Sequence, residues 1–393
     1  MNIYLSNYSN VTKDEAFLLA VPTTESQREI WNSIAFEPTA SLAFNESIVI
    51  EFSGKLNLVA LKKAISDVIE RHSILRTVFS SDGQYQFVRK NSTFDFTHQD
   101  ISGKTNLHEE LCRIQESEVN KEFDLIYGPI IRFHLVTEET ELNYLYITAH
   151  HLVCDGWSWA AINTDLGIFY NCNLSGAPAD LKPAFQFWQY VQKQREYKTQ
   201  NENSVRYWKN QFETIPTPLK LPLKGVRPSV RTFESKRIDK IIEQSIVINL
   251  KRRSAEWGLS PYQLIYSLYL LSLYEISGQS DLVVGISAAA QSLIGKKDLV
   301  GHCVSLLPVR FVIDNNTSFK QHALSVRKVM LDAFENQYCT FGEILKALKL
   351  ERDISRIPLV SCIFNIDVQP TDQGLNFKDL KTKMSTVPRN FEN

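Results

Sequence analysis

Two hydrophobic periods alternate along this chain, and that alternation restricts its fold more than any other feature. The segment ESIVIEFSG (46–54) reads as a strand. Just after it, residues 57–72 place Leu58, Leu61, Ile65, Val68 and Ile69 at helical spacing, with Asn57 as the expected N-cap. LRTVFSSDGQYQFVRK (75–90) then predicts a hairpin turned by Asp82-Gly83. IIRFHLV and LNYLYITAHHLV form another strand pair split by the polar TEETE, and helical spacing returns after Gly156. Later segments repeat the pattern: a helix at 261–276, strands at 281–287 and in CVSLLPVRFVI, a helix in FKQHALSVRKVMLDAFENQ and a strand in PLVSCIFNIDV. Such irregular alternation predicts a mixed α/β, α+β-like fold rather than a strict barrel or a Rossmann ladder.

The 393 residues exceed one ordinary core and suit two domains of ~150–200 residues. The turn-rich stretch NLSGAPADLKP (173–183) marks the expected boundary, dividing 1–178 from 179–393. Charges nearly cancel, with 43 basic against 44 acidic side chains, so neither nucleic acid nor an anionic membrane surface is an expected partner. The most apolar stretch, YQLIYSLYLLSLYEI (262–276), carries serines and a glutamate and falls short of the ~20 apolar residues that span a bilayer. The N-terminus lacks the basic start and apolar core of a secretory signal. A cytoplasmic location follows as the expectation, with the six scattered cysteines reduced and buried. No G-x-G-x-x-G, Walker A or G-x-S-x-G motif occurs, which lowers the nucleotide-binding and nucleophile-elbow readings.

The chemistry concentrates in AHHLVCDGWSW (149–159). In a strand reaching Val153, adjacent side chains diverge: Leu145, Ile147, Ala149, His151 and Val153 share one face, and Tyr146, Thr148, His150 and Leu152 the other. One metal ion is then hard to reach with both histidines, and no Cys or carboxylate stands at ligand spacing, so no metal is expected. Only one histidine can enter a given cavity. An imidazole there suits a general base at neutral pH. Asp155 is expected to hold the bend by accepting backbone or arginine hydrogen bonds. Gly156, with no Cβ, lets a ligand or backbone come close. The plain alternative is two satisfied buried histidines beside a tight Asp-Gly turn. Trp157 and Trp159 read first as core residues.

The same residues carry a family resemblance. His150-His151-Leu152-Val153-Cys154-Asp155-Gly156 matches H-H-x-x-x-D-G, and so resembles the signature of condensation domains of nonribosomal peptide synthetases, in the chloramphenicol acetyltransferase-like superfamily. Further motifs occur in order: SQREIW (26–31), RHSILRTVF (71–79), FQFWQY (185–190), VGHCVSLLPVR (300–310) and RDISRIPL (352–359), with a faint sixth around NQYCTFGEIL (336–345). In the fifth, Ser305 stands where Asn is common and Leu306 where Thr is common. The ending VPRNFEN suggests a piece of a larger synthetase. CDGWSW and PRNFEN also resemble condensation domains of hybrid polyketide–peptide lines, which implies a polyketide-like donor.

The resemblance implies two acetyltransferase-like lobes in a V with a tunnel between them, and amide-bond formation between two tethered substrates. An upstream donor carrier protein and a downstream acceptor carrier protein bring them on phosphopantetheine arms. An adenylation domain or a polyketide synthase module adjoins, and the domain itself binds no cofactor. His151 stands at the meeting point and His150 is structural. Asp155 pairs with Arg71 or Arg76, and Gly156 keeps the tunnel open. Arg352 and Arg356 fasten the lobes, and Trp157, Ser158 and Ser305 are substrate-side candidates. The alternatives are an acyl-CoA-dependent acyltransferase of the same superfamily, an epimerisation domain, and a non-catalytic module that only recruits carriers or other partners. A heterocyclisation domain would carry D-x-x-x-x-D in place of the two histidines.

Overall fold

A computed structural model describes residues 16–391 apart from positions 38, 92–93, 224, 351–352 and 367–373. In chain order its strands are β1 (Phe17–Pro22), β2 (Asn45–Ser53), β3 (Thr77–Phe79), β4 (Tyr85–Arg89), β5 (Asp95–Asp100), β6 (Ile131–Glu139), β7 (Leu142–His150), β8 (Asp281–Ala289), β9 (Val304–Val312), β10 (Cys362–Phe364) and β11 (Lys381–Thr386). The helices are α1 (Glu25–Phe36), α2 (Ala40–Ala43), α3 (Leu58–Arg71), α4 (Leu107–Asn120), α5 (Gly156–Ser175), α6 (Phe187–Glu196), α7 (Lys198–Gln211), α8 (Gln244–Glu256), α9 (Pro261–Ser277), α10 (Ala290–Ile294), α11 (Phe319–Glu335) and α12 (Phe341–Leu348). The strands form a five-stranded sheet ordered β11-β2-β7-β6-β5 and two three-stranded sheets, β1-β4-β3 and β10-β8-β9. Parallel pairs (β5 with β6, β10 with β8) sit among antiparallel ones. The expected mixed α/β class is what forms.

The large sheet is buried on both faces. Ile48, Ile50 and Phe52 of β2 point to one side and join Leu145 and Ile147 of β7 and the apolar stripe of α3 in one core. Val49 points the other way and packs with Tyr146, Val136 and Ile114 of α4. This is the period-2 division that the β2 sequence predicts. Asn57 caps α3 by accepting from the Ala60 N–H at 3.0 Å, and its own N–H donates to the Tyr170 hydroxyl of α5 at 3.0 Å. Each large apolar side chain so buried contributes roughly 1.5–3 kcal/mol. A second core gathers around β8 and β9 with Tyr266, Leu270, Val326 and Met330 from α9 and α11.

The Asp82-Gly83 hairpin forms, with Gly83 at φ +68° and the Ser80 N–H donating to the Tyr85 carbonyl at 2.9 Å. One strand expectation changes. The strand expected from PLVSCIFNIDV shortens to Cys362–Phe364, because Pro358 has no N–H to give a ladder and the Val360 N–H turns back to the Pro358 carbonyl at 2.7 Å. Its last residues, 367 and 368, lie outside the described set. The second half also does not keep to its own sheet: β11 returns to pair antiparallel with β2, Met384 opposite Ile50.

Candidate active site

The strand carrying the histidines stops sooner than its sequence suggests. β7 ends at His150, and residues 151–153 form a turn closed by the Val153 N–H to the His150 carbonyl at 2.9 Å. The expected strand continuation to Val153 is therefore corrected, because the backbone N–H of His151 leaves the ladder for the Phe44 carbonyl at 2.7 Å. The two imidazoles diverge through this turn.

His150 is fully buried, between the rings of Phe44 and Phe123. Its Nδ1 accepts from the Leu152 N–H at 3.2 Å, which leaves the ring proton on Nε2, 3.5 Å from the Ser41 hydroxyl. Burial, reinforced by His151, pushes its pKa down to about 3. It is neutral and unavailable to a substrate.

His151 keeps 24% of its side chain exposed. Its Nδ1 lies 2.6 Å from the Cys154 carbonyl oxygen, an atom that can only accept. In the neutral ring the proton therefore sits on Nδ1 and Nε2 carries the lone pair. Nε2 is 3.9 Å from Glu46 Oε1, beyond hydrogen-bond range. Glu46 is held instead by Arg389, whose guanidinium also reaches the Asn45 carbonyl. Burial pushes the Glu46 carboxyl up, but Arg389 and His151 outweigh it and hold the group below the usual range.

Asp155 caps α5 and is fully buried. It accepts from the Ser158 N–H (2.9 Å) and hydroxyl (2.8 Å), from Gln291 Nε2 (2.9 and 3.1 Å) and from the Cys303 N–H (3.0 Å). The expected arginine partner is corrected. Arg71 binds Asp165 at 2.8 Å and the Lys182 carbonyl at 2.7 Å, and the same Asp165 oxygen meets His72 Nε2 at 2.6 Å. Arg76 donates to the carbonyls of Ile69, Glu70 and Arg89. Arg71 ends α3 and Arg76 follows it, where carbonyls at the helix end and Asp165 satisfy them nearby.

Other expected residues separate by burial. A Cβ on Gly156 would meet nothing within 4 Å, so that side of the turn is open. Trp157 is 50% exposed rather than in the core, while Trp159 is buried. Ser158 is fully buried and its hydroxyl is used by Asp155 and by the Gly301 N–H at 3.1 Å, so it holds the loop and does not face a substrate. Ser305 stands on β9, its hydroxyl 3.5 Å from the Cys339 carbonyl. Arg356 makes a local ion pair with Asp353 at 2.7 Å, and Arg352 lies outside the described residues. Of the cysteines, 154, 303 and 339 are buried, 172 and 362 are half-buried, and Cys112 is exposed against expectation.

Sequence reasoning misses Glu46, Gln291, His302 and Arg389. His302 packs edge-to-face on His151, ring centroids 4.6 Å apart. It lies inside VGHCVSLLPVR, where the sequence signal falls on Ser305 and Leu306 instead. The first motif also acts at long range: Gln27 Nε2 donates to the Leu152 carbonyl at 2.9 Å. Glu29, its pKa raised by burial, accepts from the Gly342 N–H at 2.9 Å and from the Thr340 hydroxyl. Among the described residues, no three metal-ligating side chains gather, and no helix is long and apolar enough to cross a membrane.

The family model "Condensation domain" matches residues 20–393. Gramicidin S synthase 2 of Brevibacillus brevis is 28% identical over 380 residues, which cover 94% of this chain and 8% of that protein. The first relatives compared are all far longer; the chain spans 6% of malpibaldin synthetase from Mortierella alpina, at 26% identity over 86% of the chain. A solved structure, the starter condensation domain of rhizomide synthetase in complex with C8-CoA and Leu-SNAC, superposes with a TM-score of 0.81 at 15% identity. That match covers 98% of this chain and 84% of the other. With the two-histidine turn, its buried Asp155 and a family match over nearly the whole length, the chain belongs to the condensation domains of nonribosomal peptide synthetases.

Proposed function

We propose that this chain joins a carrier-bound acyl or peptidyl thioester to a carrier-bound aminoacyl group, forming an amide. The observation that carries the reading is the geometry of His151: Nδ1–H is given to Cys154, while Nε2 lies 3.9 Å from Glu46, beyond hydrogen-bond range. The acceptor amine nitrogen attacks the donor thioester carbon. Nε2 accepts the hydrogen bond of that amine and takes its proton as the C–N bond forms. The proton passes to the departing pantetheine sulfur as the C–S bond breaks, so the balance is one amide and one thiol. Holding both tethered partners at one turn makes the encounter effectively unimolecular.

In this reading residues 1–178 and 179–393 form the two acetyltransferase-like lobes, with β11 lent back to the first, and His151 stands at the meeting point within the tunnel between them. Donor and acceptor carriers dock at opposite ends, an adenylation domain or polyketide synthase module adjoins, the donor is polyketide-like, and the protein works in the cytoplasm. Trp157 and Gly156 lie on the substrate side. The test mixes separately loaded donor and acceptor carriers with the wild type and with His151→Ala, and follows amide product by mass spectrometry. Loss of about 100-fold or more is expected, the scale of a removed general base. Undiminished amide formation by His151→Ala overturns the role of His151, and equal transfer from free acyl-CoA overturns carrier dependence.

A further inference from the structure

His302 is a buried imidazole that neither the signature motif nor the proposed mechanism uses. Its backbone is clamped on both sides to the turn that carries His151. The Gly301 N–H donates to Ser158 Oγ at 3.1 Å, and the Cys303 N–H donates to Asp155 Oδ2 at 3.0 Å. Gly301 itself sits at φ +149°, and a Cβ there would fall 2.1 Å from the Phe187 ring, so this segment has one permitted path. The clamp delivers the His302 ring to the His151 ring at 4.6 Å and 79°. The ring acts here by shape and packing: its Nδ1 is buried with no hydrogen-bond partner among the described residues, so an apolar ring of like shape can stand in for it.

We propose that His302 is a positioning residue for His151: its ring walls in the His151 imidazole and holds it in the one orientation in which Nδ1–H meets Cys154 and Nε2 stays free for the amine. A competing acceptor, Glu46 Oε1, lies 3.9 Å from His151 Nε2 with that wall in place. A small rotation of the ring, with transfer of the proton to Nε2, would give that nitrogen to Glu46 and end its use as an acceptor. Burial, with His151 and His150 nearby, holds His302 well below the usual imidazole range. It therefore stays neutral and adds no like charge beside His151. The proposal rests on the amide-forming role of His151 for its consequence in turnover, but not for its consequence in ring chemistry.

The test compares wild type with His302→Ala, His302→Leu and His302→Phe in the full chain. Leu keeps volume without a flat ring, and so serves where Ala fails to fold. The first readout is the ¹⁵N NMR signature of the His151 ring, which reports the tautomer without turnover. The Nδ1–H form is expected in wild type and Phe, and a mixture of tautomers in Ala and Leu. The second is amide formation from loaded carriers: kcat is expected to fall about tenfold in Ala and Leu with KM little changed, and to return in Phe, short of the ~100-fold cost of a 1 Å misplacement. An unchanged His151 tautomer in Ala or Leu overturns the proposal, as does a Phe variant as impaired as they are. The nitrogen signature decides the proposal even where wild type forms no amide, an outcome that instead removes the function proposed above.

Discussion

Removing Asp155 tests whether this aspartate joins distant segments or merely neutralises an arginine. In Asp155→Ala the carboxylate that gathers Ser158, Gln291 and Cys303 is gone. The Ser158 hydroxyl can turn to the Gly301 carbonyl, 3.2 Å away. The Ser158 N–H, the Gln291 amide and the Cys303 N–H are then left facing a space that was fully buried. At about 1–3 kcal/mol per unpaired buried donor, complete loss costs ~3–9 kcal/mol. A water filling the vacated volume can satisfy two of them, which leaves one unpaired donor and brings the expected loss to about 1–3 kcal/mol. The assay is urea unfolding followed by tryptophan fluorescence, run as two double-mutant cycles. Asp155→Ala with Gln291→Ala should show a coupling of about 1–3 kcal/mol, while Asp155→Ala with Arg71→Ala should add within ~0.5 kcal/mol. A large coupling to Arg71 and none to Gln291 would refute the hydrogen-bond assignment and restore the arginine pairing expected from the family.

Three further outcomes follow from single residues. Gly301→Ala needs a positive φ and places a Cβ 2.1 Å from Phe187, so a loss of about 3–4 kcal/mol is expected as a lowered Tm in calorimetry. Gly156→Ala opens α5 and meets nothing within 4 Å. Stability should hold or rise by up to ~0.5 kcal/mol while carrier-dependent amide formation falls, and unchanged activity would show that no substrate arm passes there. His150, held at about 3 in the fold, takes a proton near pH ~6.5 once unfolded. The stability it contributes is intact above pH ~6.5 and is lost as pH falls from there toward about 3, by up to ~1.4 kcal/mol per pH unit. Tm measured across that window should fall less steeply in His150→Gln than in wild type.

The local parts of this structure are legible because local rules govern them. Asn57 capping α3, the Asp82-Gly83 turn and the two faces of β2 follow from residue type and period alone. The unequal fates of His150 and His151 are also legible, though for a partly wrong reason: a turn at 151–153 separates them, not a continued strand. What stays hidden depends on residues far apart. Gln291 lies 136 positions beyond Asp155, and no pattern near either announces the bond. β11, KTKMST, is too polar to read as a strand, and only its pairing with β2 and the packing of Met384 on the core make it one. Charge and family resemblance assign Arg71 or Arg76 to Asp155, whereas nearer acceptors claim both.

These long-range contacts give the turn a division of labour. Asp155 and Ser158 fasten 301–303 to the start of α5, and that fastening sets two imidazoles against each other. A general base gains from orientation more than from basicity when its partner is tethered, since each arriving amine samples few poses. An unfastened turn would leave His151 free to answer Glu46. The buried aspartate thus acts on chemistry through geometry: it fixes the segment that keeps the Nε2 lone pair in place, while its own oxygens are spent on Ser158, Gln291 and Cys303. On this argument, Asp155→Ala and His302→Ala should alter the His151 tautomer in the same direction, Asp155→Ala with the larger loss of stability. Opposite tautomer shifts in the two variants would break the chain from Asp155 through His302 to His151.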